Sequence, residues 1–272
     1  ALQELSENQF EFTWKFTDRS ELDITDLIKT QSVLKQFQPD WIINTAAYTD
    51  VDGAESNEEI AYKVNADGPY ILAKSAKEIG AKLVHISTDY VFDGTKKEPY
   101  SENDKPNPLQ VYGKSKLKGE LLIQDTYISG FIIRTSWVYG NHGKNFVNTI
   151  LKLAKTKNEI QVIDDQFGSP TYVNDLAEII LNLILNSTLT NLDLIHYSNK
   201  GGVSWYEFAK YIINLKNQSC IIKKISTEDF GQISKRPHFS ELDLNKIQTK
   251  YSIYIKNWNE SINQYMNNLN DC

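Results

Sequence analysis

Short apolar runs that close on small polar residues recur along the first half of the chain. Trp41-Ile42-Ile43 ends in Asn44-Thr45-Ala46-Ala47, the run over 83–86 ends in Ser87-Thr88-Asp89, and that over 131–133 ends in Arg134-Thr135-Ser136-Trp137. Apolar runs this short, without alternation, suit strands buried on both faces. Helix-spaced apolar positions lie between them. Leu27, Ile28, Leu34 and Phe37 mark a helix over 26–37 that Pro39 ends. A longer helical pattern covers 58–79 with an interruption near Gly68 and Pro69, and another covers 115–123. The aromatic-rich stretch 10–16 reads as a further strand. This alternation predicts an α/β fold built on a doubly wound, Rossmann-like parallel sheet. Right-handed crossovers then bring the strand C-termini to one edge, where ligands bind.

After Tyr139 the pattern changes. Helices are expected over 145–154 and 174–185, a strand over 160–163, and a strand over 194–197 that returns to the main sheet. Gly201-Gly202 marks a turn before a helix over 205–215, followed by a strand over 221–225 and a last helix over 255–266. The chain is therefore expected to divide into a dinucleotide-binding domain over 1–138, with later returns at about 172–200, and a smaller mixed α/β substrate-binding lobe from 139–171 and 201–272. Residues 1–5 read as the end of a helix, so the opening strand and glycine-rich turn of such a domain are expected to precede them.

Composition narrows the function classes. The chain has 272 residues, 40% of them hydrophobic and 24% charged, with a formal net charge of −6. An acidic balance argues against a general nucleic-acid surface. Cys220 and Cys272 have neither a metal-ligand spacing nor a nearby thiol. No apolar run reaches membrane-spanning length and no signal-peptide pattern opens the chain, so no membrane partner and a cytoplasmic location are expected.

Tyr112 and Lys116 stand four residues apart, which places both on one face of a helix. Addition of hydride to a ketone creates an alkoxide that needs a proton, and a tyrosine beside an ammonium can deliver one. By itself the spacing also fits an ordinary surface helix. Thr88 adds a hydroxyl at a strand end, where the competing reading is a capped turn. Asp50, Asp52 and Glu55 put three carboxylates in six residues, which suits a solvated loop better than a Mg²⁺ site. His85 and His196 lie inside apolar runs and read as structural. Lys235-Arg236-Pro237-His238 is a basic knot that suits either a diphosphate or an exposed loop.

Taken together, the run Val84–Gly94, the segment Pro108–Lys116, Arg134–Gly140, Asp165–Thr171 and Arg236-Pro237 resemble the extended short-chain dehydrogenase/reductase family, and within it the dTDP-4-dehydrorhamnose reductases. The resemblance covers nearly the whole chain. It implies reduction of the C4 ketone of dTDP-4-dehydro-L-rhamnose, in nucleotide-sugar and cell-surface polysaccharide synthesis, with NADPH or NADH. It assigns the proton donor to Tyr112, its support and the nicotinamide ribose to Lys116, and a contact with the carbonyl to Thr88. Ala46, Ala47, Asn65 and Ser87 would line the cofactor, with Asp23 and Ile24 near the adenine. Thr49, Val51, Trp137, Asn145 and Phe146 would approach the dTDP-sugar, and Arg236 its phosphates. Some members bind Mg²⁺, for which no ligands can be placed on this chain. A monomer or homodimer is expected. The competing readings are another nucleotide-sugar epimerase or dehydratase on the same fold, and a non-catalytic nucleotide-binding regulatory subunit. The choice between NADPH and NADH stays open, because Lys15 and Arg19 would favour a 2′-phosphate and Asp18 would repel it.

Overall fold

The computed structural model describes residues 1–7, 11–216 and 218–269. Cys272 and Phe10 lie outside the described residues. The stretch from Phe12 to Phe16 is irregular and not the expected strand. Trp14 stacks on Phe16 at 5.5 Å and meets the edge of Phe12 at 5.6 Å, but no neighbouring strand pairs its backbone among the described residues. β-propensity alone does not make a strand without a ladder partner.

Helix α1, Leu27–Phe37, begins where the Asp26 carboxylate accepts from the Lys29 N–H at 2.9 Å and ends where Gln38 turns left-handed. Strand β1, Trp41–Asn44, follows, then the short helix α2, Val51–Ser56. The next helical stretch runs regularly over Glu58–Tyr62, widens into a π turn over Lys63–Asp67, and resumes as α3, Gly68–Glu78. The interruption therefore falls one turn before Gly68-Pro69. A proline is tolerated at the first turn of the resumed helix, whereas the wide turn is what aims Asn65 inward.

Strand β2, Lys82–Thr88, leads through a loop into α4, Val111–Gln124. This helix starts four residues before the expected 115, because the Glu55 carboxylate of α2 accepts from the Val111 N–H at 2.9 Å and caps it from outside. Gly119 lets α4 press onto the π turn: a Cβ there would lie 2.2 Å from the Asn65 carbonyl oxygen. Strand β3, Gly130–Thr135, and the later β4, Leu192–His196, complete a four-stranded parallel sheet in the order β1-β2-β3-β4. The three strand ends marked in the sequence thus share one edge.

A second apolar cluster gathers Tyr139, Val147, Phe208, Ile212 and Tyr265. It is enclosed by α5 (Phe146–Ala154), α7 (Trp205–Leu215) and α8 (Trp258–Asn268), with α6 (Val173–Asn186) crossing back to the main sheet. A parallel pair, Glu159–Ile163 with Ile221–Ile225, lies on this side. The last helix starts at Trp258 and not at 255, because Ile253 and Ile255 are extended and buried with Leu242 and Ile247 in the core of the main sheet. No helix among the described residues is long and apolar enough to cross a membrane.

Candidate active site

Tyr112 is the second residue of α4, close to the end of β2. Its ring meets Tyr90 edge to face at 6.1 Å, and its phenol lies beside the Thr88 hydroxyl. Burial pushes the phenol up to about 12, the Thr88 hydroxyl works against that, and Asp89 adds to it. Thr88 is fixed in turn: it accepts from the Tyr90 N–H at 3.1 Å and donates to Asp89 at 3.1 Å.

Lys116 lies one turn further along the same helix and is 2% exposed. Its Nζ donates to the Ile86 carbonyl at 2.6 Å and stands 3.3 Å from His85 Nε2. Burial draws its pKa down to about 8, against the pull of Glu120. Tyr112 and Lys116 thus share a face, but the groups that set the phenol are burial, Thr88 and Asp89, while the amine turns toward β2.

A buried ion pair underlies the site. Arg134 of β3 holds Glu120 of α4 at 2.6 Å, and the Ser87 hydroxyl donates to the same carboxylate at 2.5 Å. Ser87 therefore points its hydroxyl beneath the strand ends. Asn65 is fully buried, and its amide is engaged by the Tyr48 backbone at 2.7 and 3.0 Å and by Ser115 at 3.0 Å. It holds the loop carrying Ala46, Ala47 and Thr49, in which Ala46 and Thr49 are exposed and Ala47 is half-buried.

The three carboxylates of the acidic run diverge. Asp50 caps α2 at the Gly53 N–H, Glu55 caps α4, and Asp52 takes Ser234 Oγ at 2.5 Å and Arg236 at 3.0 Å. This is neither a solvated loop nor a chelate. Among the described residues no group of three or more His, Cys, Asp or Glu side chains could hold a metal ion. The basic knot is likewise anchored to α2 by Asp52 and is not a free loop. Val51, next to Asp52, opens α2.

Trp137 has a left-handed backbone, with φ of 47°, which turns its indole away from the strand direction. The ring lies flat on Trp205, with centroids 3.3 Å apart, and Phe146 adds a third aromatic 4.4 Å from Trp205. Asn145 caps α5, accepting from the Asn148 N–H at 3.0 Å and donating to the Gly140 carbonyl at 2.8 Å. Asp23 and Ile24 stand apart from this group. The Asp23 carboxylate is engaged by Thr25 at 2.8 and 2.9 Å, and Ile24 is buried against Gly68 at the start of α3.

Several site residues escaped the sequence reading. Asp89 is 2% exposed, accepts from the Thr88 hydroxyl at one carboxylate oxygen, has no hydrogen-bond partner at the other, and is pushed up to about 7, chiefly by burial. Its place after Thr88 was the available signal. Trp205 gave none, since nothing in a helix start announces a ring stacked on a residue of another strand end. His85 was read as structural, yet it touches Lys116.

A family model described as the RmlD substrate binding domain matches residues 2–271. The chain is 42% identical over 245 residues to the spore coat polysaccharide biosynthesis protein SpsK of Bacillus subtilis, covering 90% of this chain and 85% of that one. It is 40% identical over 255 residues to the dTDP-4-dehydrorhamnose reductase of Aggregatibacter actinomycetemcomitans, covering 90% and 86%. Its fold superposes with a TM-score of 0.94 on the Bacillus anthracis dTDP-4-dehydrorhamnose reductase solved in complex with NADP, at 40% identity over 98% of this chain and 94% of that one. The match of residues 2–271 to this family model, and of nearly the full length to these relatives, shows that the chain belongs to the dTDP-4-dehydrorhamnose reductase family of extended short-chain dehydrogenases/reductases.

Proposed function

We infer that the chain reduces the C4 ketone of dTDP-4-dehydro-L-rhamnose to give dTDP-L-rhamnose, at the expense of NADPH or NADH. The observation that carries this is the placement of the buried Thr88 hydroxyl, at a strand C-terminus, beside the buried Tyr112 phenol, with Lys116 one helical turn away. A ketone oxygen received there meets a proton donor and a second hydroxyl together.

The residues present fit a dinucleotide. Exposed Ala46 and half-buried Ala47 leave room for close approach at the end of β1, and Lys116 lines the same cavity as Ala47. A bound reduced nicotinamide supplies the hydride. Tyr112 keeps its proton at working pH, because burial pushes its phenol up to about 12, and releases it only to a stronger base such as a nascent alkoxide. Thr88 orients the phenol and helps to polarise the ketone oxygen. On this reading the four-stranded sheet serves the cofactor, and the dTDP-sugar lies toward Trp137, Phe146 and Arg236. Asn65, Ser87 and Asn145 act by holding the loops and helix that carry the contacts. NADP in the Bacillus anthracis relative supports NADPH as the first cofactor to test.

The experiment is NADPH and NADH oxidation with dTDP-4-dehydro-L-rhamnose, with product identified by mass and retention. Stoichiometric formation of dTDP-L-rhamnose is expected. Epimerisation or dehydration without cofactor oxidation, or cofactor binding without turnover, would overturn the reading.

A further inference from the structure

Two buried polar side chains, Asn44 and His85, connect the Ala46 backbone amide to Lys116. Asn44, His85 and Lys116 are 3%, 0% and 2% exposed. The Ala46 N–H can only donate, and it donates to Asn44 Oδ1 at 3.1 Å. That fixes the orientation of the Asn44 amide, so its Nδ2 donates to His85 Nδ1 at 3.0 Å. A ring nitrogen that accepts carries no proton, which leaves the single proton of a neutral imidazole on Nε2. Burial and the nearby lysine hold His85 well below its usual range, so the ring is neutral. Its Nε2–H then faces Lys116 Nζ at 3.3 Å.

An ammonium has three donors and no acceptor. One of them is satisfied by the Ile86 carbonyl. At the histidine, an ammonium would set donor against donor, whereas a neutral amine accepts from Nε2–H. We propose that His85, locked by Asn44 as its Nε2–H tautomer, is a positioning residue that disfavours the ammonium form of Lys116 and so sets when this lysine releases its proton.

The other charged and titratable groups around Lys116 do not favour release. Glu120, on the same helix, favours the ammonium but is balanced by Arg134 of β3 and by Ser87 of β2. Glu55 of α2 is engaged by the Val111 N–H, Asp89 is buried next to Thr88, and Tyr112 keeps its proton. Asn65, from the π turn, is neutral. That leaves burial and the His85 N–H as the two influences favouring the amine.

The assignment of Lys116 to the reduction rests on the proposed function; its coupling to His85 does not. Selective ¹³C labelling at lysine Cε and ¹⁵N labelling at histidine read the coupling without turnover, with the Lys116 resonance identified by its loss in Lys116→Met. The His85 ring nitrogens are expected to report Nε2–H. In His85→Gln the side-chain amide is free to turn its oxygen to the ammonium, so the Lys116 midpoint is expected to rise by about one pH unit, ten-fold in proton affinity. Asn44→Asp still accepts from Ala46 but also accepts from the ring, moving the proton to Nδ1, and is expected to raise the midpoint as well. It provides the test should His85→Gln fail to fold. An Nδ1–H ring in the wild type, or an unmoved Lys116 midpoint in the folded variants, overturns the proposal. The alkaline limb of kcat should follow the midpoint upward. A midpoint that moves while that limb stays fixed upholds the coupling and removes Lys116 from control of the reduction.

Discussion

Arg236 donates from its guanidinium to the Asp52 carboxylate across 3.0 Å, joining residues 184 positions apart. Asp52 also takes the Ser234 backbone at 3.2 Å, so one side chain of α2 fixes the loop that presents the arginine. If the remaining guanidinium donors bind the sugar diphosphate, Arg236→Ala raises KM for the dTDP-sugar by roughly ten-fold, the loss of a charge-assisted bond. Asp52→Ala, which removes only the tether, raises it less. Steady-state kinetics decide the matter, and an unchanged KM in Arg236→Ala removes the residue from the substrate site.

Tyr112→Phe deletes the hydroxyl proposed to donate the proton and keeps the ring against Tyr90. The loss in kcat is expected to be about 10²–10⁴-fold, the usual worth of general acid catalysis, with cofactor affinity retained. Single-turnover reduction together with cofactor titration checks both. Near-normal chemistry in this variant means that the proton comes from another group.

Glu120→Gln leaves Arg134, whose side chain is 3% exposed, without its counter-ion. Breaking a buried pair on one side costs about 3–5 kcal/mol. Chemical denaturation at neutral pH is expected to show a loss of that order. A change within the range of ordinary surface substitutions would mean that water or another anion reaches the guanidinium.

Asp89 gives stability a definite dependence on pH. Its carboxyl is raised from 3.8 to about 7 on folding, so between those values the native state holds a proton that the unfolded chain has lost. Its contribution is therefore fully present below about pH 4 and is lost as pH rises through 7, with a slope opposite to that of a salt-bridged carboxylate. Asp89→Asn stays neutral throughout. The melting temperature of the variant relative to the wild type is expected to be higher at pH 8 than at pH 5, and a difference independent of pH would show that the carboxyl is ionised throughout.

Gly168 lies beneath the Trp137 indole, where a Cβ would come within 2.7 Å of the ring. Trp205 is stacked on the same ring, which limits how far it can shift. Gly168→Ala is expected to cost about 1–3 kcal/mol in overpacking, to alter tryptophan fluorescence, and to raise KM for the dTDP-sugar. Normal melting and kinetics would place Trp137 outside the substrate path.

The sequence by itself determined the parallel sheet, the common edge of its three strand ends, and the helix face shared by Tyr112 and Lys116. Each is a local pattern: apolar runs such as 131–133, the helix-spaced Leu27, Ile28, Leu34 and Phe37, a spacing of four. Patterns of this kind reflect backbone periodicity and nearest-neighbour sterics, which a few consecutive residues contain. Tertiary structure alone decided the rest. Residues 12–16 have the composition of a strand but lack a ladder partner, and the start of α4 depends on Glu55, far back in the chain. The three acids at 50, 52 and 55 look like one cluster in sequence, yet they cap two helices and anchor a distant arginine. His85 reads as core from its apolar neighbours, and only the packing of β1, β2 and α4 sets its two ring nitrogens between Asn44 and Lys116. Hydrogen bonding and desolvation act across space between side chains brought together by the sheet, and no local window of sequence records which partner each one meets.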